Sequence, residues 1–307
     1  MGRVLFIFLD GVGIGHRNPD TNPFFRADLP TLSNLLGGEI PHLHAPVSYQ
    51  GDCAAFPLDP LLGVEGLPQS GTGHTALLTG ENAPALYGRH FGPWVPVRLR
   101  PLVKERNILT RAQAKGYRCA FANAYPKEFH GSRWARRPAG PPLAATAAGL
   151  LTREADALSQ GNALSSEIVN TAWKQRLGYD DLPDITPQEA GRNLAGIAED
   201  ADLTFFAHYA TDYAGHRGKM PGAVQALERV DAFLEGVLSF LPSNTLLVLT
   251  SDHGNLEDVT AGHTLNPVFT LLKGPGALPL KEGISRITDI PSLILEALSP
   301  DGGGKPA

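Results

Sequence analysis

Three largely apolar stretches recur along the chain, and a polar cluster follows each of them. Residues 4–9 run into Asp10, residues 203–207 lead to Asp212, and residues 245–250 lead to a Ser-Asp-His-Gly sequence. Apolar runs of this length that stop at turn residues are typical of strands buried on both faces. The pattern therefore predicts three buried strands, each with polar side chains at its carboxyl end.

Helical spacing of apolar residues separates these strands and predicts helices over 101–115 and 223–241. Strands that alternate with helices indicate an α/β fold in which a mostly parallel sheet is sandwiched by helices. Residues 125–186 differ, because they begin with basic and aromatic residues and contain no strong strand pattern. We interpret them as a small inserted cap, which divides the core into 1–124 and 187–307.

Residue types that bind metals are concentrated at the predicted strand ends. In open parallel sheets, ligands bind beyond the carboxyl ends of the strands, so these side chains are candidates for one site. Carboxylates and imidazoles together suit Zn²⁺ or Mn²⁺, and no thiolate accompanies them. The candidate metal ligands are Asp10, Asp212, His216, Asp252, His253 and His263.

Each candidate also has a simpler interpretation. Asp10 could be a turn residue or a helix N-cap. Asp212 and His216 could form an exposed i, i+4 pair, and a lone His263 is commonly hydrogen-bonded within a loop. The Asp-His pair after the third strand is harder to explain in this way, because two ionisable groups at a buried position need partners. The coincidence of several such clusters favours a metal site.

A candidate nucleophile, Ser70, lies in a glycine-flanked turn that precedes a short apolar helix. At a helix N-terminus its hydroxyl would lie beside free backbone N–H groups, which suit a phosphate. The alternative is that Ser70 or Thr72 only caps the helix. A serine beside a metal ion needs no histidine base, since coordination can lower the pKa of its hydroxyl directly.

Composition excludes several classes of protein. The chain has 307 residues, of which 26 are basic and 31 acidic, and a net charge of −5 argues against a nucleic-acid-binding protein. Its two cysteines, Cys53 and Cys119, do not form a disulfide framework and fit a reducing compartment. The first apolar run is too short for a signal peptide, and no later run approaches the roughly 18 residues of a membrane span. We therefore expect a cytoplasmic protein without a membrane partner.

Five ordered motifs resemble the alkaline phosphatase superfamily, and within it the branch of cofactor-independent phosphoglycerate mutase and phosphopentomutase. The resemblance covers roughly residues 1 to 80 and 190 to 295. The motifs are Phe8-Leu9-Asp10-Gly11, Ser70-Gly71-Thr72-Gly73-His74, Asp212-Tyr213-Ala214-Gly215-His216, Ser251-Asp252-His253-Gly254-Asn255 and Gly262-His263-Thr264-Leu265-Asn266-Pro267-Val268.

This resemblance implies two divalent cations, Mn or Zn, and phosphoryl transfer through a phosphoserine. One ion would be held by Asp212, His216 and His263. The other would be held by Asp10, Asp252 and His253, with Ser70 as a further ligand and as the nucleophile. The residues expected to orient these ligands without binding a metal ion are Thr72, His74 and Asn255.

The resemblance and the residues together predict a phosphomonoesterase that acts on a small phosphate ester. Sulfate ester hydrolysis is disfavoured, because no Cys-x-Pro-x-Arg motif surrounds Ser70. The alternatives are a phosphomutase that uses the same intermediate and a non-catalytic metal-dependent binding protein. A basic group at the start of the predicted cap could bind a substrate anion, or could be a solvated loop. This group consists of Lys127, His130, Arg133, Arg136 and Arg137.

Overall fold

A single sheet of seven strands organises the part of the chain that the structure describes. The structure is a computed structural model, which describes residues 2–299 and, at His130, the backbone alone. Residues 300–307 of the predicted core therefore lie outside the described part. The strands are β1 (Arg3–Leu9), β2 (Ser48–Gln50), β3 (Cys53–Leu58), β4 (Cys119–Phe121), β5 (Leu203–His208), β6 (Thr245–Thr250) and β7 (Val268–Lys273).

The strand order across the sheet is β2-β3-β7-β6-β1-β5-β4. At the centre β1 pairs in parallel with β5 and β6, with Phe6 opposite both Phe205 and Val248. Because β7 is antiparallel to β6 and to β3, strands β1, β3, β4, β5 and β6 share one direction. The three strands predicted from the apolar runs are therefore neighbours whose carboxyl ends meet at one edge.

Helices cover both faces of this sheet, which confirms the predicted fold class. They are α1 (Pro30–Leu35), α2 (Ser70–Thr79), α3 (Ala83–Tyr87), α4 (Arg100–Arg106), α5 (Ile108–Ala114), α6 (Arg133–Arg136), α7 (Gly140–Ala147), α8 (Ala155–Ser159), α9 (Thr171–Leu177), α10 (Pro187–Glu199), α11 (Ala210–Arg217), α12 (Lys219–Phe240), α13 (Ala277–Lys281) and α14 (Ile290–Leu298). Short 3₁₀ helices occupy Pro23–Phe25, Val97–Leu99, Lys127–Gly131 and Ile287–Asp289.

Alternate residues of each central strand enter two separate hydrophobic cores. In β1, Phe6 and Phe8 belong to the core that packs under α2 and α14. Leu5 and Ile7 belong to the core that packs under α10 and α12. This alternation follows from the period of two in a strand, and burial on both faces explains why the run has no polar residue.

The prediction of one continuous helix over 101–115 is wrong, because Asn107 divides this range into two helices, α4 and α5. Asn107 has an extended backbone, and its side chain accepts hydrogen bonds from the N–H groups of Leu109 and Thr110. An asparagine that caps a new helix stops the preceding one, and apolar spacing alone does not reveal that break. The other predicted helix, 223–241, begins four residues earlier, at Lys219.

The division into a core and an inserted cap at 125–186 remains a prediction. Within that range α7 packs against α2, α4 and α5, so part of it contributes to the main core. A separate small cluster forms around Leu158, Trp173 and Leu182. Among the described helices, none is long and apolar enough to cross a membrane.

Candidate metal and phosphoryl-transfer site

The three central strands bring Asp10, Asp212 and Asp252 to one edge of the sheet. Asp10 directly follows β1, and its N–H donates to the carbonyl of His208 at the end of β5. The N–H of Gly11 lies 3.4 Å from Asp252 Oδ1, beyond the end of β6. A Cβ at Gly11 would lie 2.6 Å from Asp212 Oδ1, so only glycine lets these segments approach so closely.

One group of candidate ligand atoms comprises Asp10, Asp252 and His253, which are all buried and offer atoms within 4.8 Å of one another. His253 Nε2 lies 3.4 Å from Asp10 Oδ1 and 3.6 Å from Asp252 Oδ2. The same nitrogen lies 3.0 Å from Ser70 Oγ. The structure therefore brings together all members of this predicted set and puts the candidate nucleophile beside them.

A second group comprises Asp212, His253 and His263, again within 4.8 Å of one another. His263 Nε2 lies 3.6 Å from Asp212 Oδ1, and His216 Nε2 lies 3.5 Å from the same oxygen. The predicted set thus converges on Asp212. His216 is at its outer side, because 41% of its side chain is exposed, whereas that of His263 is 10% exposed.

Hydrogen bonds to the other ring nitrogen orient two of these imidazoles. His263 Nδ1 donates to the carbonyl of Pro68 at 2.7 Å, and His253 Nδ1 donates to the carbonyl of Gly254 at 3.3 Å. In the neutral ring the unprotonated Nε2 then faces the carboxylates. A backbone carbonyl that fixes the tautomer in this way is the usual arrangement behind a metal-binding histidine.

Burial and neighbouring charges shift the pKa values of the first group, Asp10, Asp252 and His253, which we call the inner group. Burial raises the pKa of Asp252 to about 6, although His253 and His74 oppose it. Burial also acts to raise the pKa of Asp10, but His74 and His253 outweigh it and hold that pKa well below its usual range. Burial opposes charge on His253, yet Asp252 and Asp10 raise its pKa to about 10. The two carboxylates therefore draw positive charge to this position.

The buried polar atoms of the inner group fit a divalent cation. Asp10 Oδ1 and Asp252 Oδ2 are buried, and within residues 2–299 they have no hydrogen-bond partner of adequate geometry. Carboxylates without such partners are costly in a protein interior unless a cation compensates them. The donors are oxygen and imidazole nitrogen, the ligand set that Zn²⁺ and Mn²⁺ accept.

Ser70 is the first residue of α2, and the helix N-cap is Gln69, which makes no side-chain capping bond. The Ser70 hydroxyl is therefore free of a capping role. By contrast, the hydroxyl of Thr72 bonds to the backbone of Gln69 and Phe91, so it holds the turn rather than facing the carboxylates. A Cβ at Gly71 would collide with the carbonyl of Trp94, so the loop over this turn packs directly on the helix start.

His74 and Asn255 occupy positions from which they can support the ligands. His74 Nδ1 accepts from the N–H of Gly140, so its proton lies on Nε2, 3.3 Å from Asp10 Oδ2 and 3.4 Å from Asp252 Oδ2. Asn255 Nδ2 donates to Asp212 Oδ1 at 2.6 Å. Both contacts orient carboxylates without occupying a ligand position.

The basic residues of the predicted cap do not share one environment. The guanidinium of Arg137 stacks on the ring of Trp94 at 4.7 Å, and the carbonyl of Trp94 packs on Gly71, next to Ser70. The guanidinium of Arg133 stacks on exposed Trp134 at 4.6 Å. Arg136 donates to the carbonyl of Gly131, and Lys127 lies 3.7 Å from Glu154. The backbone of His130 lies in the 3₁₀ helix Lys127–Gly131, and its side chain lies outside the described part.

Sequence reasoning missed Glu257, a buried acid two residues beyond Asn255. Its carboxylate accepts hydrogen bonds from two loops that carry candidate ligands. The only signal in the sequence is an acidic residue close behind the third strand, which resembles any other loop acid.

Known proteins are similar in sequence to less than half of this chain. The family model described as "Metalloenzyme superfamily" matches residues 177–298. The 2,3-bisphosphoglycerate-independent phosphoglycerate mutase of Ruegeria pomeroyi is 32% identical over 128 residues, which is 38% of this chain and 25% of that protein. The mutase of the same name from Mycoplasmopsis pulmonis is 31% identical over 142 residues, which is 44% of this chain and 27% of that protein. The chain thus spans about a quarter of the length of these relatives.

Solved structures match nearly the whole fold at low sequence identity. The PH0037 protein of Pyrococcus horikoshii is 14% identical with a TM-score of 0.58, and the match covers 100% of this chain and 98% of that chain. The alkaline phosphatase of the Antarctic bacterium TAB5 is 13% identical with a TM-score of 0.50, and the match covers 96% of this chain and 98% of that chain. The chain thus shares its fold with the TAB5 alkaline phosphatase, and its residues 177–298 are similar to the metalloenzyme superfamily.

Proposed function

We propose that this chain is a metal-dependent phosphomonoesterase that acts on a small phosphate ester through a phosphoserine at Ser70. The observation that carries the proposal is the position of Ser70 Oγ, 3.0 Å from His253 Nε2 and at the N-terminus of α2. At that position a nucleophile lies beside the candidate ligand atoms and at a helix terminus that favours negative charge.

We assign two divalent cations, Mn or Zn, to the two ligand sets that the resemblance implies. The inner cation would be held by Asp10, Asp252, His253 and Ser70, and the outer cation by Asp212, His216 and His263. Bound cations would lower the pKa of the Ser70 hydroxyl and offset the negative charge of the transferred phosphoryl group.

The chain's own residues set the course of the reaction. In the first half, a bond forms between Ser70 Oγ and the phosphorus while the bond to the leaving oxygen breaks. The serine proton passes to solvent, and the leaving alcohol takes up a proton from water. In the second half, water attacks the phosphoserine, which releases inorganic phosphate and restores the hydroxyl. The N–H groups of Ser70 and Gly71 precede the intrahelical bonds and could donate to phosphoryl oxygens, whereas the N–H of Thr72 donates to the carbonyl of Phe91.

Access of water favours hydrolysis over transfer to a retained product. The side chains of Asp212 and His216 are 21% and 41% exposed, so the outer side of the site opens to solvent. A phosphomutase must keep its product beside the phosphoenzyme and exclude water. A phosphomutase remains the second candidate, because the two relatives that are 32% and 31% identical to part of this chain bear that name.

A phosphatase assay with separated metals tests the proposal. The protein is incubated with a panel of phosphate esters, including phosphoglycerate and a phosphopentose, with Mn²⁺ and Zn²⁺ supplied separately. We expect inorganic phosphate as the product. An isomer of the ester without phosphate release would favour the mutase, and no turnover with full metal binding would favour a non-catalytic binding protein.

Ser70→Ala with a matched control tests the nucleophile. This variant should lose turnover by at least about a thousandfold and should form no phosphoenzyme, while it still binds metal. Thr75→Val is the control, because it removes a hydroxyl one turn along α2 that bonds only to the carbonyl of Gly71. Covalent labelling that persists in Ser70→Ala would move the nucleophile to another residue.

A further inference from the structure

Glu257 is a buried acid whose carboxylate is fully engaged by hydrogen bonds. Its residue is 1% exposed. Oε2 accepts from the N–H of Gly13 at 2.9 Å and from the N–H of Asn255 at 2.8 Å. Oε1 accepts from Asn266 Nδ2 at 3.1 Å and from the hydroxyl of Thr264. Both oxygen atoms face donors, so this carboxylate is not arranged as a metal ligand.

The donors to Glu257 come from two loops, the one after β1 and the one between β6 and β7, and each loop carries proposed metal ligands. One donor lies three residues after Asp10, a second lies two residues after His253, and a third directly follows His263. The loop after β1 is far in the sequence from the loop between β6 and β7, which contains Glu257 itself, and the two loops meet at the sheet edge. One side chain therefore links the inner and the outer group of ligands.

Three glycines make room for this carboxylate. A Cβ at Gly13 would collide with the carboxyl group of Glu257. A Cβ at Gly254 would collide with Glu257 Oε1 and with the hydroxyl of Thr264. A Cβ at Gly15 would lie 2.9 Å from Glu257 Cγ and 2.7 Å from its carbonyl oxygen. The glycines that flank two of the ligand motifs are thus required by the packing around one acid.

We propose that Glu257 is a positioning residue that aligns the metal ligands by holding the loop after β1 in register with both ends of the β6–β7 loop. The inference rests on the proposed metal centre and adds a residue to it. Groups that orient the ligands of a metal, rather than touch it, commonly change metal affinity strongly when they are replaced. A carboxylate suits this role because it accepts four bonds, whereas an amide oxygen accepts two.

Glu257→Gln tests the proposal, with Mn²⁺ binding followed by titration calorimetry. The new amide turns two acceptor positions into donors that face other donors, so about half of the bonds are lost without a change of size. We expect the affinity for Mn²⁺ to fall by about 10- to 100-fold, with turnover partly restored at high Mn²⁺. Asp231→Asn is the matched control, because Asp231 is a buried carboxylate that accepts from the N–H groups of Thr31 and Leu32 at the start of α1.

The control separates positioning from general stability. Asp231→Asn should lower the melting temperature and leave the Mn²⁺ affinity unchanged. Equal Mn²⁺ affinity in Glu257→Gln and the wild type would overturn the proposal, as would a loss no larger than in Asp231→Asn. A wild type that binds Mn²⁺ but releases no phosphate would refute the proposed activity alone, since this titration does not depend on turnover.

A milder pair of variants decides the question if Glu257→Gln does not fold. Thr264→Val removes one donor to Glu257 Oε1, and Thr264→Ser keeps the hydroxyl. We expect weaker Mn²⁺ binding in the valine variant and recovery in the serine variant. Binding equal to that of the wild type in both variants would overturn the positioning role.

Discussion

Removal of metal should destabilise this protein by an amount that the two ligand groups allow us to estimate. The inner group holds two buried carboxylates, Asp10 and Asp252, with oxygen atoms that lack hydrogen-bond partners among the described residues. A cation that binds only the folded state adds about 2.7 kcal/mol at a hundred times its Kd, for each site. Unfolding entropy of about 2.1 cal/mol/K per residue gives about 0.64 kcal/mol/K for a chain of 307 residues.

These values predict the change in melting temperature. Each occupied site should raise the Tm by about 4 °C, and two independent sites should raise it by about 8 °C. The assay compares thermal unfolding of chelator-treated protein with and without Mn²⁺ at a hundred times its Kd. Asp252→Asn keeps the size of the side chain but removes a charged ligand of the inner group, so about half of the shift should remain.

Asp231→Asn again serves as the control, because it removes a buried carboxylate that caps α1 rather than one that faces the site. Its Tm should fall both with and without Mn²⁺, and the shift on adding Mn²⁺ should be the same as in the wild type. A wild type whose Tm does not respond to Mn²⁺, or an Asp252→Asn variant with the complete shift, would refute the assignment of the ligands.

Other properties of the site and the core can be tested separately. Arg137→Ala should raise KM for an anionic ester more than Arg133→Ala does, since Arg137 stacks on Trp94 of the loop that packs on the nucleophile turn, whereas Arg133 stacks on exposed Trp134; equal steady-state effects would contradict this. Gly71→Ala should cost about 1–3 kcal/mol in chemical denaturation and lower turnover, because the new Cβ meets loop carbonyls. Burial raises the pKa of Cys53 to about 11 and of Cys119 to about 12, so at pH 8 roughly one Cys53 thiol in a thousand is ionised. Both cysteines should therefore react with a thiol reagent quickly only after unfolding.

The sequence was sufficient to predict the centre of the sheet and the convergence of the candidate ligands. Apolar runs such as 245–250 are long enough to identify as buried strands, and parallel strands deliver their carboxyl ends to one edge. This topological rule explains why Asp10, Asp212 and Asp252 could be expected to meet although they are far apart along the chain.

The strands β2, β3, β4 and β7 were not predicted, for a physical reason. Two of them, Ser48–Gln50 and Cys119–Phe121, have three residues each, too few to show a period. Cys53–Leu58 contains a proline, which weakens a strand pattern. Their pairings are set by long-range contacts in the sheet rather than by local sequence.

Side-chain roles that depend on hydrogen bonds were also beyond the sequence. Glu257 and Asp231 are both buried acids, yet the first links the loops of the site and the second accepts hydrogen bonds from the first turn of α1. Likewise Thr72 and Ser70 lie in one turn, and the folded chain shows that the Ser70 hydroxyl lies beside His253 while the Thr72 hydroxyl bonds to the backbone. Such assignments need the positions of partners that are remote in sequence.

Anomalous diffraction from crystals grown with Mn²⁺ would locate the bound cations. We expect two peaks, one among Asp10, Asp252 and His253 and the other among Asp212 and His263, with the hydroxyl of Ser70 beside the first. The absence of any peak among these residues, or a single peak elsewhere on the molecule, would show that these side chains do not form the metal centre.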